Sequence, residues 1–460
     1  DTFDKNLADD VKFEKDPVTG VDVVARFEDA DDFHDNLFTQ MSRTDFAGTF
    51  PTKPTTEDRT VTKEWLAEED DYTTNNPNTY TEMPKTGTDT AWITITNDDG
   101  TETKRSILLK DMIGKAYDDP MWEDYLNTLT FDDLVALFNG GSYSTAAIQH
   151  AGVPHTISCD GPTGIVAFMG TPEVYGTTYY CSECLVAQTY NVELAQAEGT
   201  AIGNECLLGD QRPDGTHLPY TGWYSPGVNI HRSPFSGRNT EYYSEDPFLA
   251  GKMAGNVIKA VQAKGVYTTV KHFAVNDQET HRGINGSNSW LGEQALREIY
   301  LKPFEFAVKE GKTKGVMSSF NRIGKVWTGG DYRLLTNVLR EEWGFQGLVI
   351  CDFHTEFYMN NKQMCYAGGD LNLTTTQSWH DADPENAGDV TCLRNAAHNT
   401  LYVLANSNAM RLEILGYKPA MHQVWIWVID GVVAGGLVTW GVFALLPLFK
   451  KKKETGAPEA

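Results

Sequence analysis

From residue 118 onward, short apolar runs of strand length alternate with stretches carrying apolar residues at helical spacing, and this alternation narrows the fold more than any other feature. The runs fall at 155–159, 223–230, 266–273, 315–321 and 348–351, with helical patterns at 247–263, 293–310 and 334–343. Such strands suit burial on both faces. Single helices between them predict a parallel α/β fold, either a barrel or a doubly wound sheet. No G-x-G-x-x-G follows a first strand, which counts against a dinucleotide-binding sheet.

Each run also stops at polar or charged residues. In LREEWGFQGLVICDFH (339–354), Gly347 breaks the preceding helix, Val349 and Ile350 are β-branched, and the strand delivers Asp352. A carboxylate at the C-terminal end of a barrel strand lies on the face where such folds keep their chemistry. The other reading of Asp352 is an N-cap to the following helix. Asp160 closes HTISC, Arg238 lies in SGRNTEYYSEDP, Lys271 and His272 end VYTTVKHF, and Asn321 and Arg322 end VMSSFNR.

Singly, each has a structural explanation. Asp160 can cap a turn, Arg238 can pair with Glu241, Glu245 or Asp246, and His272 can be a satisfied core histidine. Together they point to a polar ligand, because buried Lys and Arg are costly without partners. Donors and acceptors mixed with Trp and Tyr describe a sugar site, whereas phosphate would require a glycine-rich nest or more cations. Cleavage of a glycosidic bond requires two carboxyl groups with different roles. Asp352 suits the nucleophile, and Glu279 in NDQETHR and Glu356 in DFHTEF are candidates for the second by proximity in sequence alone.

A formal net charge of −25 over 460 residues excludes tight nucleic-acid binding, which needs cations to replace counterions. Residues 1–120 hold 28 Asp or Glu against 13 Lys or Arg, and 1–107 reads as an acidic, irregular, surface-wrapping segment. The seven cysteines show no disulfide framework, and the lone C-x-x-C of Cys181 and Cys184 reads as ordinary buried thiols, so neither metal nor cofactor is implied. Residues 424–449 form an apolar run of membrane-spanning length with one charge, Asp430, and tryptophans Trp425, Trp427 and Trp440. It ends at Lys450 to Lys453, which predicts a single transmembrane helix, a cytoplasmic tail over 450–460, and the remainder on the outer face of a cell membrane.

The motifs CDGPTGI, YSPGVNIHRSPFSGRNTEYYSEDP, VKHFAVNDQE, VMSSFNRIG, LREEWGFQGLVICDF and AGGDLNL, in that order over about 108–410, resemble glycoside hydrolase family 3, the β-glucosidase-like enzymes. The resemblance implies a TIM-like (β/α) barrel over 108–415 and a retaining β-glycosidase acting on β-linked oligosaccharides or aryl and alkyl glycosides. Asp352 would be the nucleophile, while Asp160, Arg238, Lys271 and His272 would hold the sugar hydroxyls before the scissile bond. Phe320 stands where many members have Tyr, removing a hydroxyl that would contact the nucleophile. The hexosaminidase branch carries KHFPGHGD with a catalytic His, but this chain reads KHFAVNDQETHR, and His281 falls outside that motif. In the glucosidase branch the acid/base Glu sits on a separate α/β sandwich domain. The short interval between barrel and apolar run implies a member with inverted domain order, that domain lying upstream of Asp1. A surface glycan-binding protein without turnover is the alternative from another functional class.

Overall fold

Five of the apolar runs lie side by side in one sheet. Its strands are β1 (Ser144–Thr145), β2 (Thr156–Asp160), β3 (Tyr220–Tyr224), β4 (Tyr267–Phe273), β5 (Gly315–Ser318) and β6 (Leu348–Ile350), arranged in space in their chain order. Strands β2 to β6 are mutually parallel, and β1 runs antiparallel to β2. Leu371 bridges Ile350 in parallel, one further step in the same sense. Neighbours in space that are neighbours in sequence are the winding of a (β/α) barrel. Among the described residues the sheet is a half-barrel of six strands, in keeping with the TIM-like barrel expected. This computed structural model describes residues 15–31, 74–88, 91–97, 99–166, 177–211, 217–280, 282–356 and 358–411, with Val433, Gly436 and Thr439 beyond them.

The period-two alternation of the strands sorts side chains onto two buried faces. Ile157, Cys159, Trp223, Val270, Val316 and Val349 pack on the side of the crossover helices α1 (Val192–Leu208), α2 (Pro247–Gln262) and α3 (Lys302–Lys309). Tyr224, Tyr267, Met317, Leu348 and Ile350 face the opposite way, against Trp122, Tyr125, Phe138 and the long C-terminal helix α4 (Ala387–Ala405). Helices α1 and α2 approach closely because Gly199 carries no side chain; a Cβ there would lie 2.5 Å from the Val257 carbonyl oxygen. Asp246 caps α2 by accepting the Phe248 and Leu249 N–H groups, with Pro247 at the first helical position. The SEDP end of the long motif is thus a helix start.

Several local expectations are corrected. The run at 223–230 is a strand only to Tyr224, beyond which a loop crosses the end of β4. The helical pattern at 293–310 is interrupted by a π-helical stretch, Leu296–Tyr300. The helix before β6, Arg333–Glu342, is also π-helical and ends well before Gly347; Gly344, at φ +69°, makes the turn. Gly347 serves a different purpose, since a Cβ there would lie 2.4 Å from the Lys314 carbonyl oxygen. Nor is the segment 1–107 irregular throughout. It contains an antiparallel hairpin, Trp92–Thr96 with Glu102–Ser106.

Part of that segment belongs to the core. Phe27 and Ala30 are buried, Glu293 accepts the Arg26 and Phe27 N–H groups at 3.1 and 2.7 Å, and Arg26 reaches the fully buried Glu342 at 2.8 Å. The apolar run 424–449 and the tail 450–460 lie outside the described residues apart from three positions, and no helix among the described residues is long and apolar enough to cross a membrane.

Candidate active site

Asp352 follows β6 by two residues, and its backbone N–H donates to the Ser318 carbonyl at the end of β5. It caps no helix. The Phe353 N–H donates to Asp352 Oδ1 at 2.7 Å, and the next helix, Asn361–Ala367, is capped by Asn360. The outer oxygen, Oδ2, lies 3.2 Å from the Arg282 guanidinium and 3.8 Å from His272 Nε2. One oxygen is therefore fixed by the backbone, while the other faces the groups gathered at the strand ends.

Those groups come from neighbouring strand ends and from the loops that follow them. Lys271, in the last turn of β4, is almost fully buried and reaches Asp160 at the end of β2 at 2.7 Å and Glu241 at 3.1 Å. Arg238 bonds Glu241 at 2.5 Å and approaches Glu279 at 3.8 Å. Arg282 joins the two halves. Its Nε donates to Glu279 at 2.7 Å while the same guanidinium reaches Asp352, and its Cζ lies over the Phe320 ring, 4.5 Å from the centroid. Phe320 thus supports the arginine that contacts the nucleophile candidate.

The electrostatics follow from burial and pairing. Burial alone would lower the Lys271 pKa, but Asp160 and Glu241 outweigh it and hold the ammonium above the ordinary lysine range. Burial would raise the Glu241 carboxyl, yet Lys271 and Arg238 pull it below the usual value. His272 is driven well below an ordinary histidine by burial and by three nearby cations, Arg238, Lys271 and Arg282, so it is neutral at physiological pH. Its Nδ1 faces the Tyr242 hydroxyl at 3.4 Å, and the Asn229 side chain clamps its backbone N–H and C=O at 2.7 and 2.9 Å. Glu279 is pushed up by burial, with Arg282 and Arg238 opposing.

The structural and ligand-binding readings of these residues hold together. Asp160 accepts the Gly161 N–H as a turn cap would, and also the Tyr143 hydroxyl at 3.2 Å and Lys271. Arg238 pairs with Glu241 and still lies beside Glu279. Glu356 is half-buried, and its Oε1 would lie 3.5 Å from a Cβ built on Gly283, next to Arg282. Buried charges satisfied by one another, beside a carboxylate with one oxygen free of backbone contacts, form a preorganised polar cluster at this end of the sheet.

A family model described as the glycosyl hydrolase family 3 N terminal domain matches residues 123–381, more than half of the chain. The chain belongs to glycosyl hydrolase family 3. Among its family 3 relatives, β-glucosidase A of Butyrivibrio fibrisolvens is 38% identical over 239 residues, 50% of this chain and 27% of that protein. β-Glucosidase B of Emericella nidulans is 37% identical over 312 residues, 65% of this chain and 35% of that protein. The structure of β-glucosidase 3B from Thermotoga neapolitana in complex with glucose superposes with TM-score 0.55 at 32% identity, covering 66% of this chain and 45% of that one. The chain spans about a third or less of the length of these curated relatives.

Sequence reasoning missed several groups of this family 3 site. Arg282 stood in NDQETHR, three residues after Glu279, a spacing that brings side chains together on a helical turn. Glu241, in sequence a structural partner for Arg238, also holds Lys271. Tyr143, Tyr242 and Asn276 left no signal, because only the fold brings them to Asp160, His272 and Glu279. The Cys181–Cys184 reading is corrected as well, since Cys181 is exposed and Cys184 half-buried. Among the described residues no group of three or more His, Cys, Asp or Glu could hold a metal ion.

Proposed function

We propose that this family 3 chain carries the nucleophile and the sugar-binding floor of a retaining, β-glucosidase-like glycoside hydrolase. The observation that carries the reading is the placement of Asp352 beside Arg282 and His272, adjoining the Asp160–Lys271–Glu241–Arg238 network. Asp352 Oδ2 attacks the anomeric carbon, forming a glycosyl ester as the bond to the leaving oxygen breaks; water then attacks the same carbon, frees the carboxylate and releases the sugar with retained configuration. Asp160, Lys271 and Arg238 hold the ring hydroxyls, exchanging part of their mutual pairing for the ligand.

Proton transfer to the leaving oxygen is assigned to a group outside the described residues. Glu279 accepts from Arg282 and Asn276 and faces Arg238, so its bonding suits an orienting carboxylate. Membrane attachment through 424–449 belongs to the same proposal, supported by the length of that apolar run and the lysines that end it. Recovery of the protein in the soluble fraction after alkaline carbonate extraction would contradict attachment.

A dinitrophenyl β-glucoside tests the nucleophile alone, because its leaving group departs without a proton. Asp352→Asn is expected to lower kcat on it by ~10³-fold or more. With Asp352→Ala, azide entering from the vacated face should restore turnover and yield the α-glucosyl azide. Unchanged turnover by Asp352→Asn would end the assignment.

A further inference from the structure

The two stretches that wall one side of the candidate active site also line a cavity of about 230 Å³. In the loop after β4, Asn276 and Glu279 belong to the active-site network, while Asp277 and Gln278 line the cavity. After β5, Phe320 supports Arg282, and its neighbour Asn321 lines the cavity. The floor is polar and buried. Asp277 and Asn321 are 4% and 1% exposed, and the Asn321 side-chain oxygen accepts no hydrogen bond. Trp290 and Tyr300 are half-buried in the walls, and Arg232 and Gln278 stand exposed at the mouth, 3.4 Å apart.

Size and chemistry select the ligand. The cavity is small and open at its mouth, which suits a ligand the size of a single sugar ring. Two aromatic side chains with a carboxyl and amides favour a neutral, hydroxyl-rich ring. Burial pushes the Asp277 carboxyl up to about 7 against the Ile230 N–H and Arg232, so near neutrality it can donate to a hydroxyl as well as accept from one. We propose that this cavity is a second, non-catalytic monosaccharide site, separated from Asp352 by the loop 275–279 and the Phe320–Asn321 step.

Titration of the full 460-residue chain with D-glucose, followed by calorimetry and ligand-observed NMR, tests it. Two sites are expected in the wild type, and Asp160→Asn should remove one. Adding Trp290→Ala to that variant should weaken the remaining site about tenfold or more, through loss of a stacking face. Should Trp290→Ala not fold, Arg232→Ala at the exposed mouth makes the same test. The proposal is overturned if Asp160→Asn abolishes all glucose binding, if neither cavity variant alters the site left in Asp160→Asn, or if glucose does not bind. A single site, insensitive to Asp160→Asn and lost with the cavity variants, would uphold the cavity and remove support from the active-site reading.

Discussion

Lys271 shows how one residue can hold a site together. Its side chain is 4% exposed, and its ammonium is satisfied by Asp160 and Glu241, carboxylates brought from two other parts of the chain. Lys271→Met leaves both acids without their shared cation, and a loss of about 3 kcal/mol or more in stability is expected in urea unfolding at neutral pH. The pH dependence has a definite sign. The folded pKa of Glu241 lies below its unfolded value, so its pairing contributes above the unfolded value and is lost as pH falls through the folded one; the Lys271→Met penalty should therefore shrink in acid. Arg282 acts on position. Arg282→Ala should reduce turnover of the dinitrophenyl β-glucoside by about 10²-fold, and Arg282→Lys should restore little, because a point charge cannot bridge Glu279 and Asp352 as a planar fork does. The strand-end residues were legible in sequence because a run of apolar residues ending in charge is a local pattern. Arg282 was not, because its role depends on Phe320 and Asp352, which are remote in the chain.

At the level of elements, the existence and order of the parallel strands could be read from apolar runs and intervening helical spacing. Their ends could not. Tyr220–Tyr224 begins earlier than the apolar run suggested and ends where the backbone leaves the sheet, which hydrogen bonds to neighbouring strands decide. The segment 15–31 is a further case. Its acidic composition suggested a solvated surface, yet Phe27 enters the core and Arg26 joins Arg297 in neutralising Glu342, which is 0% exposed on its side chain. Arg26→Ala is expected to cost about 2 kcal/mol, read as a lowered urea midpoint with an unchanged slope. An equal midpoint would mean that Arg297 alone suffices.

Across the whole molecule, α4 closes the inner face of the half-barrel, and its His398 stacks on Tyr117 at 4.4 Å. Burial pushes this histidine down to about 4 from an ordinary 6.5. The unfolded chain therefore binds the proton first, and stability falls as pH drops between those values. His398→Phe keeps a ring against Tyr117 and removes the titration, so its melting temperature should vary less between pH 4 and 6.5 than that of the wild type, by an amount reflecting about 3 kcal/mol. Parallel acid limbs for the two proteins would show that other groups, His272 and Glu241 among them, dominate acid unfolding.

By itself the sequence determined the α/β class, the order of the parallel strands, the family resemblance and the charged or polar residues that follow the apolar runs. These are properties of spacing and local composition, which need no knowledge of what lies opposite. Tertiary structure alone decided that the described strands form a half-barrel, that Glu241 and Arg282 complete the site, that Asp352 is no helix cap, and that Asp277 and Asn321 line a separate cavity. Each depends on which side chains meet across loops tens or hundreds of residues apart, and burial, pairing and pKa exist only once they have met.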